Sequence, residues 1–447
     1  METDQGDGVK NTNRDTPSSV DVASLPLQDA AILAAPSHDP YQALRFRSYR
    51  FLLIGTFIAA IGEQMVNIAI GWELYDRTGS ALVLGGVGLA QVLPVIVLSL
   101  IAGHVADHRN RKVIVIITAT VLACCSLGLA LLSYLHGSLV LIYACLTLIG
   151  VAMAFNTPAA DTLPTYAVPD EAYENAATWS SSSWQLAAVL GPALGGGVIA
   201  VFGSATWVYI INAVAALLFA ILLIPLRVRP VQKALPEGKP KKTTTMKSLG
   251  EGIGFLRHTQ VLLAAITLDL FAVLFGGATT LLPIFARDIL KVGPEGLGWL
   301  RAAPSVGAVL VAVYLAHQPP FKHAGRTLLF AVCGFGIATI VFGLSRSFWL
   351  SLVMLFLLGG LDNFSVVIRS TLTLTRTPDA MRGRVAAING LFVSASNELG
   401  GFESGLTAQL LGPTLSVVGG GIGTIIVVVC VALIWPALRR LGALRET

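Results

Sequence analysis

The feature that most constrains this chain is a rhythm. From Phe51 onward, apolar runs alternate with short polar breaks almost to the C-terminus. A run of about 20 apolar residues matches the thickness of a bilayer's hydrocarbon core. In lipid the backbone must satisfy its own hydrogen bonds, so such runs can only be helices. The pattern predicts spans near 51–75, 81–105, 113–135, 138–158, 176–200 and 206–226. Six more follow near 261–286, 296–317, 327–344, 348–370, 385–411 and 413–437. Composition agrees. Charged residues make up 12% of the 447 and hydrophobic ones 54%, whereas a soluble domain carries about a quarter charged residues. The fold class expected is an all-α membrane protein of twelve helices.

An even number of spans puts both termini on one side, and basic residues concentrate on the cytoplasmic side. With the termini inside, 25 of the 30 Lys and Arg are cytoplasmic, and only Arg77, Arg287, Lys291, Arg301 and Arg346 are left for the outside. The predicted location is therefore the plasma (inner) membrane, multi-pass, with both termini in the cytoplasm. Residues 1–44 are set apart. They hold seven acids against Lys10 and Arg14, a balance of −5, and they lack the basic start and apolar run of a signal peptide. They read as a disordered acidic tail, with a short surface helix over 25–35. Residues 45–226 form one six-helix bundle, 227–260 a basic cytoplasmic linker, and 261–447 a second bundle with a short basic tail.

The two bundles look like copies. Leu93-Pro94 matches Ala303-Pro304, and Gly88 matches Gly298, at an offset of 210. Val168-Pro169-Asp170 matches Thr377-Pro378-Asp379 at 209. Internal duplication is a mark of secondary transporters, whose substrate site lies at the midplane between the repeats.

Enzyme chemistry is excluded by what the sequence lacks: H-E-x-x-H, a phosphate-binding loop and a nucleophile elbow. Without a Walker motif the chain uses no ATP itself. Cys124, Cys125, Cys145, Cys333 and Cys430 lie in apolar runs without metal-ligand spacing, which reads as packing. No cofactor, metal or nucleic acid is expected. The expected partners are a small-molecule substrate, the lipid bilayer and protons, and the expected state is a monomer.

Ionisable residues inside spans are costly and usually face a cavity. Glu63 stands near the middle of the first span, with Gln64 beside it and Asn67 one turn on. Asp269 lies in span 7 and Glu398 near the middle of span 11; these five are the transport and proton-coupling candidates. Asp362 and Asn363 in span 10 and Glu403 in span 11 rank below them, Asp362 having a structural alternative as a pair with Arg369. Trp184 and Gln185 are candidate substrate contacts. Trp72, Tyr75, Trp299 and Trp349 read as interface anchors.

Two motifs carry a family resemblance. The loop Gly103-His104-Val105-Ala106-Asp107-His108-Arg109-Asn110-Arg111-Lys112 resembles the signature loop G-x-x-x-D-R-x-G-R-R/K of the major facilitator superfamily, with His108 in place of Arg and Asn110 in place of Gly. Gly191-Pro192-Ala193-Leu194-Gly195-Gly196 resembles that family's antiporter motif G-P-x-x-G-G. Thr78 to Leu82, Leu89 to Pro94 and the 161–176 loop are similar to the subgroup that includes enterobactin exporters and macrolide efflux pumps. The resemblance implies two pseudo-symmetric six-helix bundles that rock between outward-open and inward-open states. It also implies a gating role for Gly103, Asp107, Arg109, Arg111 and Lys112, and export of a siderophore or drug-like amphipath. Span 4 lacks the Arg found in many proton-coupled exporters. Alternatives are an uptake carrier or lipid transporter of the same fold, or a non-transporting membrane sensor or scaffold, whose central cavity would be filled.

Overall fold

Helices account for the regular structure of the chain, and no strand occurs among the described residues of this computed structural model, which are 39–226, 250, 254–319 and 321–442. Numbering the helices of 16 residues or more, α1 spans Arg47–Thr78, α2 Ala81–His108, α3 Arg111–Tyr134, α4 Leu139–Ala160, α5 Tyr173–Phe202 and α6 Thr206–Leu223. The second half follows with α7 Gln260–Phe275, α8 Gly293–Ala316, α9 Ala324–Leu344, α10 Phe348–Arg376, α11 Asp379–Leu411 and α12 Pro413–Ile434. Among the described residues, eleven helical segments are long and apolar enough to cross a membrane. The helix α11 has 33 residues but is more polar. Exposed Trp299 and Trp349 fit anchors facing lipid, whereas Tyr75 is buried. The acidic tail to residue 38, with its expected 25–35 helix, and linker residues 227–249 and 251–253 lie outside the described residues.

Local chemistry sets the helix ends. In Thr78-Gly79-Ser80-Ala81, Gly79 takes φ +61° to cap α1, and its N–H donates to the Tyr75 carbonyl (2.8 Å). Only glycine adopts that left-handed conformation without penalty. Ser80 then caps α2, its hydroxyl accepting from Val83 N–H. Asn110 caps α3 by accepting from Lys112 N–H (3.1 Å).

Pairing repeats between the halves. In the first, α1 packs on α5 and α6, α2 on α4, and α3 on α4 and α6. In the second, α7 packs on α11 and α12, α8 on α10, and α9 on α10 and α12. Every pair recurs six helices later. The principal contacts between halves are also reciprocal: α5 with α8, and α2 with α11. The buried core from Met65 to Val417 is shared by both halves.

The seventh span departs from the expected continuous helix over 261–286. The helix α7 stops at Phe275 beside Gly276-Gly277. A 3₁₀ turn over Gly277–Leu281, one α turn over Leu282–Ile284 and a π turn over Phe285–Ile289 follow. Paired glycines and Pro283 weaken the helical ladder here, and π turns of this kind recur at functional sites.

Candidate functional site

The contacts between halves lie near the ends of α1, α5 and α11 and the starts of α2 and α8, called here the Gly79 end. Small residues let the backbones meet. A Cβ on Gly298 would stand 3.3 Å from Gly196 Cα, and one on Gly85 3.1 Å from Phe402 Cα. A latch reinforces this closure. Arg287 pairs with Asp76 (3.1 Å) and donates to the Tyr75 carbonyl (3.3 Å), Tyr75 Oη donates to Asp288, and Ser80 Oγ donates to Gln409 (3.1 Å).

Below the latch is a cavity of about 290 Å³ between the halves. It is lined by Glu63 and Asn67 of α1, Gln91 of α2, Thr279 and Thr280 of the broken segment, Arg301 of α8 and Glu398 of α11. Arg301 was expected outside the membrane. It stands nine residues into α8, about 12 Å along the helix, inside this cavity with Glu398 on the same wall, and donates to the Thr279 carbonyl (3.2 Å). Sequence reading of single spans passes over it, but the 210 offset aligns it with Gln91, which lines the same cavity. Glu398 is packed onto Gly88, the repeat mate of Gly298. The duplicated glycine thus sits at each of the two reciprocal contacts.

Glu63 lines a second chamber as well, of about 440 Å³, bounded by Leu52, Ala59, Met153, Asp161, Ser183 and Trp184. It extends from the middle of α1 towards the opposite end of the bundle, where Asp161 caps α4. Asp161 is exposed, and partial desolvation pushes its carboxyl above the usual carboxylate range. Trp184 is 49% exposed and borders this chamber. Gln185 lines a third space, of about 270 Å³, with Thr279, Ser305, Asp362 and Asn397. Gln64 lines a fourth with Pro192, Arg301 and Pro304, and accepts a long hydrogen bond from Asn67 (3.4 Å). Thr279 borders three of these four spaces.

The remaining candidates have structural surroundings. Asp269 pairs with Arg369, both buried, so the partner of Arg369 is Asp269 and not Asp362. Within the antiporter-like motif, Gly191 and Gly195 face Gln64 and Met65 of α1, while Gly196 and the Pro192 carbonyl face Gly298 of α8. The motif therefore wedges α5 between a helix of its own half and one of the other.

In the signature loop, a Cβ on Gly103 would meet open space. Arg109 is exposed. Arg111 Nε donates to the Ala106 carbonyl (3.1 Å), and its guanidinium lies 5.5 Å from the centre of the Tyr166 ring. Lys112 Nζ donates to the carbonyls of Ile224 (2.7 Å) and Leu226 (2.9 Å) beyond α6, a favourable place for a cation. Asp107 belongs to α2, but its side chain lies outside the described residues. Buried Glu73, which the sequence reading passed over, is held by Arg77 (2.5 Å) and Tyr209 Oη (2.7 Å). It is a structural carboxylate.

The chain is 26% identical over 399 residues to the multidrug efflux pump Tap of Mycolicibacterium fortuitum, covering 87% of this chain and 96% of that one. It is 26% identical over 404 residues to the enterobactin exporter EntS of Escherichia coli O1:K1 / APEC, covering 88% and 93%. In fold it is similar to the nucleoside transporter NupG (TM-score 0.66, 13% identity, 89% of this chain and 100% of that one). It is also similar to a bacterial homologue of the human lysosomal transporter Spinster in an inward-facing, unoccupied conformation (TM-score 0.65, 15% identity, 90% and 98%). Residues 52–394 match the model of the Major Facilitator Superfamily, and the chain belongs to that family of transporters.

Proposed function

We propose that this transporter exports a small amphipathic molecule by alternating access, driven by protons, from the cytoplasm across the inner membrane. The observation that carries the reading is the cavity at the junction of the halves, lined by Glu63, Gln91, Arg301 and Glu398. A sensor or scaffold on the same fold would have that space filled. Closure at the Gly79 end, with a chamber running from Glu63 towards Asp161, fits an inward-facing state. Both curated relatives are named for efflux or export, and the glycine-proline wedge in α5 supports the same direction.

The topology proposed is twelve spans with both termini cytoplasmic, as a monomer. The helix α11, eleventh in chain order, brings the count to twelve. Its 33 residues would extend about 50 Å, and it packs against α2, α7 and α12. Its polar Asn397 and Glu398 border cavities, as polar residues inside a span usually do. The domain limits proposed are 45–226 and 261–447, joined by the basic linker. The role proposed for the 103–112 loop is gating, with Arg111 and Lys112 tying the start of α3 to its neighbours.

Purified protein in proteoliposomes tests the reading. An imposed proton gradient should drive flux of candidate siderophores or macrolides. Flux that is the same with and without the gradient would overturn proton-driven export.

A further inference from the structure

The carboxylates in the bundle fall into two groups, and the division points to the charge of the cargo. Asp269 is paired with Arg369 and Glu73 with Arg77. The side chains of Glu63, Asp161 and Asp362 have no hydrogen-bond or ion-pair partner among the described residues. All three border cavity space.

Among the described residues, Arg301 is the single basic one lining the four spaces around the midplane, and it borders the first and fourth of them, not the larger chamber. The two charged groups on the wall of the larger chamber, Glu63 and Asp161, are both acidic. The larger chamber adds a body-binding surface: Leu52, Leu53, Ala59, Met153 and Phe219 are apolar, and Trp184 offers an indole. An indole face is the best aromatic partner for a cation. Glu63, half-buried at the midplane without a counter-ion, is costly in a membrane interior, and a bound organic cation offsets that cost.

We infer that the chamber between α1, α4 and α5 is a binding site for an amphipathic organic cation, with Glu63 and Asp161 receiving the charged head and Trp184 its aromatic or apolar body. This rests on the export reading and narrows it. Of the two chemistries suggested by the relatives, the site takes a basic, drug-like amphipath and rejects an anionic chelator.

The test uses two ions of like shape and opposite charge, tetraphenylphosphonium and tetraphenylborate. Binding of each to the full-length protein in nanodiscs is measured by equilibrium dialysis, after subtraction of partition into empty discs. The phosphonium should bind saturably and the borate should not. Glu63→Gln should weaken phosphonium binding about tenfold, as expected for losing one charge contact in a site sheltered from water, and Glu63→Asp should restore part of it. Arg301→Ala, which removes the basic group from the neighbouring cavity that Glu63 also lines, should strengthen it. Saturable borate binding in place of the phosphonium overturns the inference. So does phosphonium binding that is indifferent to folded Glu63→Gln protein, shown monodisperse by gel filtration.

Transport is read separately in proteoliposomes. Glu63-dependent phosphonium binding without gradient-driven flux would leave the cation site standing and remove the export reading. Flux of an anionic chelator alone would do the reverse.

Discussion

At the scale of single residues, a carboxylate in an apolar run stands out because nothing near it in sequence explains it. That made Glu63, Asp269, Glu398 and Asp362 legible, but not what each would meet. Pairing depends on which helix turns towards which, and Arg369 meets Asp269 across α7 and α10. Losing one member of such a buried pair strands the other, at a cost of about 3–5 kcal/mol in general. Arg369→Met should therefore lower the thermal unfolding temperature in detergent by several degrees, and Asp269→Asn added to it should recover part of the loss. A double variant no more stable than the single would contradict a simple pair. Asp161 gives a pH prediction. Partial desolvation raises its pKa, so its negative charge is lost as the pH falls through a range above that of a free carboxylate. Phosphonium affinity should rise with pH through that range, and Asp161→Asn should remove that part of the rise. An unaltered pH profile would take Asp161 out of the site. Arg301 escaped the sequence reading because a basic residue near the start of a span reads as a flank. The offset of 210, which pairs it with Gln91, is the signal that could have found it.

At the scale of elements, the spans were legible because each needs about 20 apolar residues, whatever its neighbours do. The break after Phe275 was not, since Gly276-Gly277 and Pro283 interrupt a run that stays apolar throughout. That broken segment supplies Thr279 and Thr280 to the cavity and Arg287 and Asp288 to the latch. Opening the Gly79 end requires the latch to part and the α5–α8 contact to slide. Arg287→Ala should shift the population towards the state open at that end. The shift can be read from spin labels at Thr78 and Leu411, on a background with the five native cysteines replaced, as a larger long-distance fraction. Gly298→Val should act in the same direction, because its side chain would press on the backbone of Ala193 and Gly196. Distances unchanged in both variants would mean that the contacts at this end do not hold the state.

At the scale of the whole molecule, the helix pairing repeats, the two contacts between halves are reciprocal, and the cavity lies between the halves. The duplication itself was visible in a handful of residues around Pro94 and Pro304. The geometry it produces was not, because an offset in sequence says nothing about which faces meet. Rocking of two such halves would expose Glu63 to one side and then the other, and that exchange is the core of the transport account. The most direct test is gradient-driven flux of an exported cation in proteoliposomes, comparing wild type with Glu63→Gln at equal protein content. The account predicts that the gradient-dependent component falls at least about tenfold, as for loss of one charge contact at the site, while the protein remains folded and monodisperse. Gradient-driven flux that Glu63→Gln leaves unchanged would contradict it.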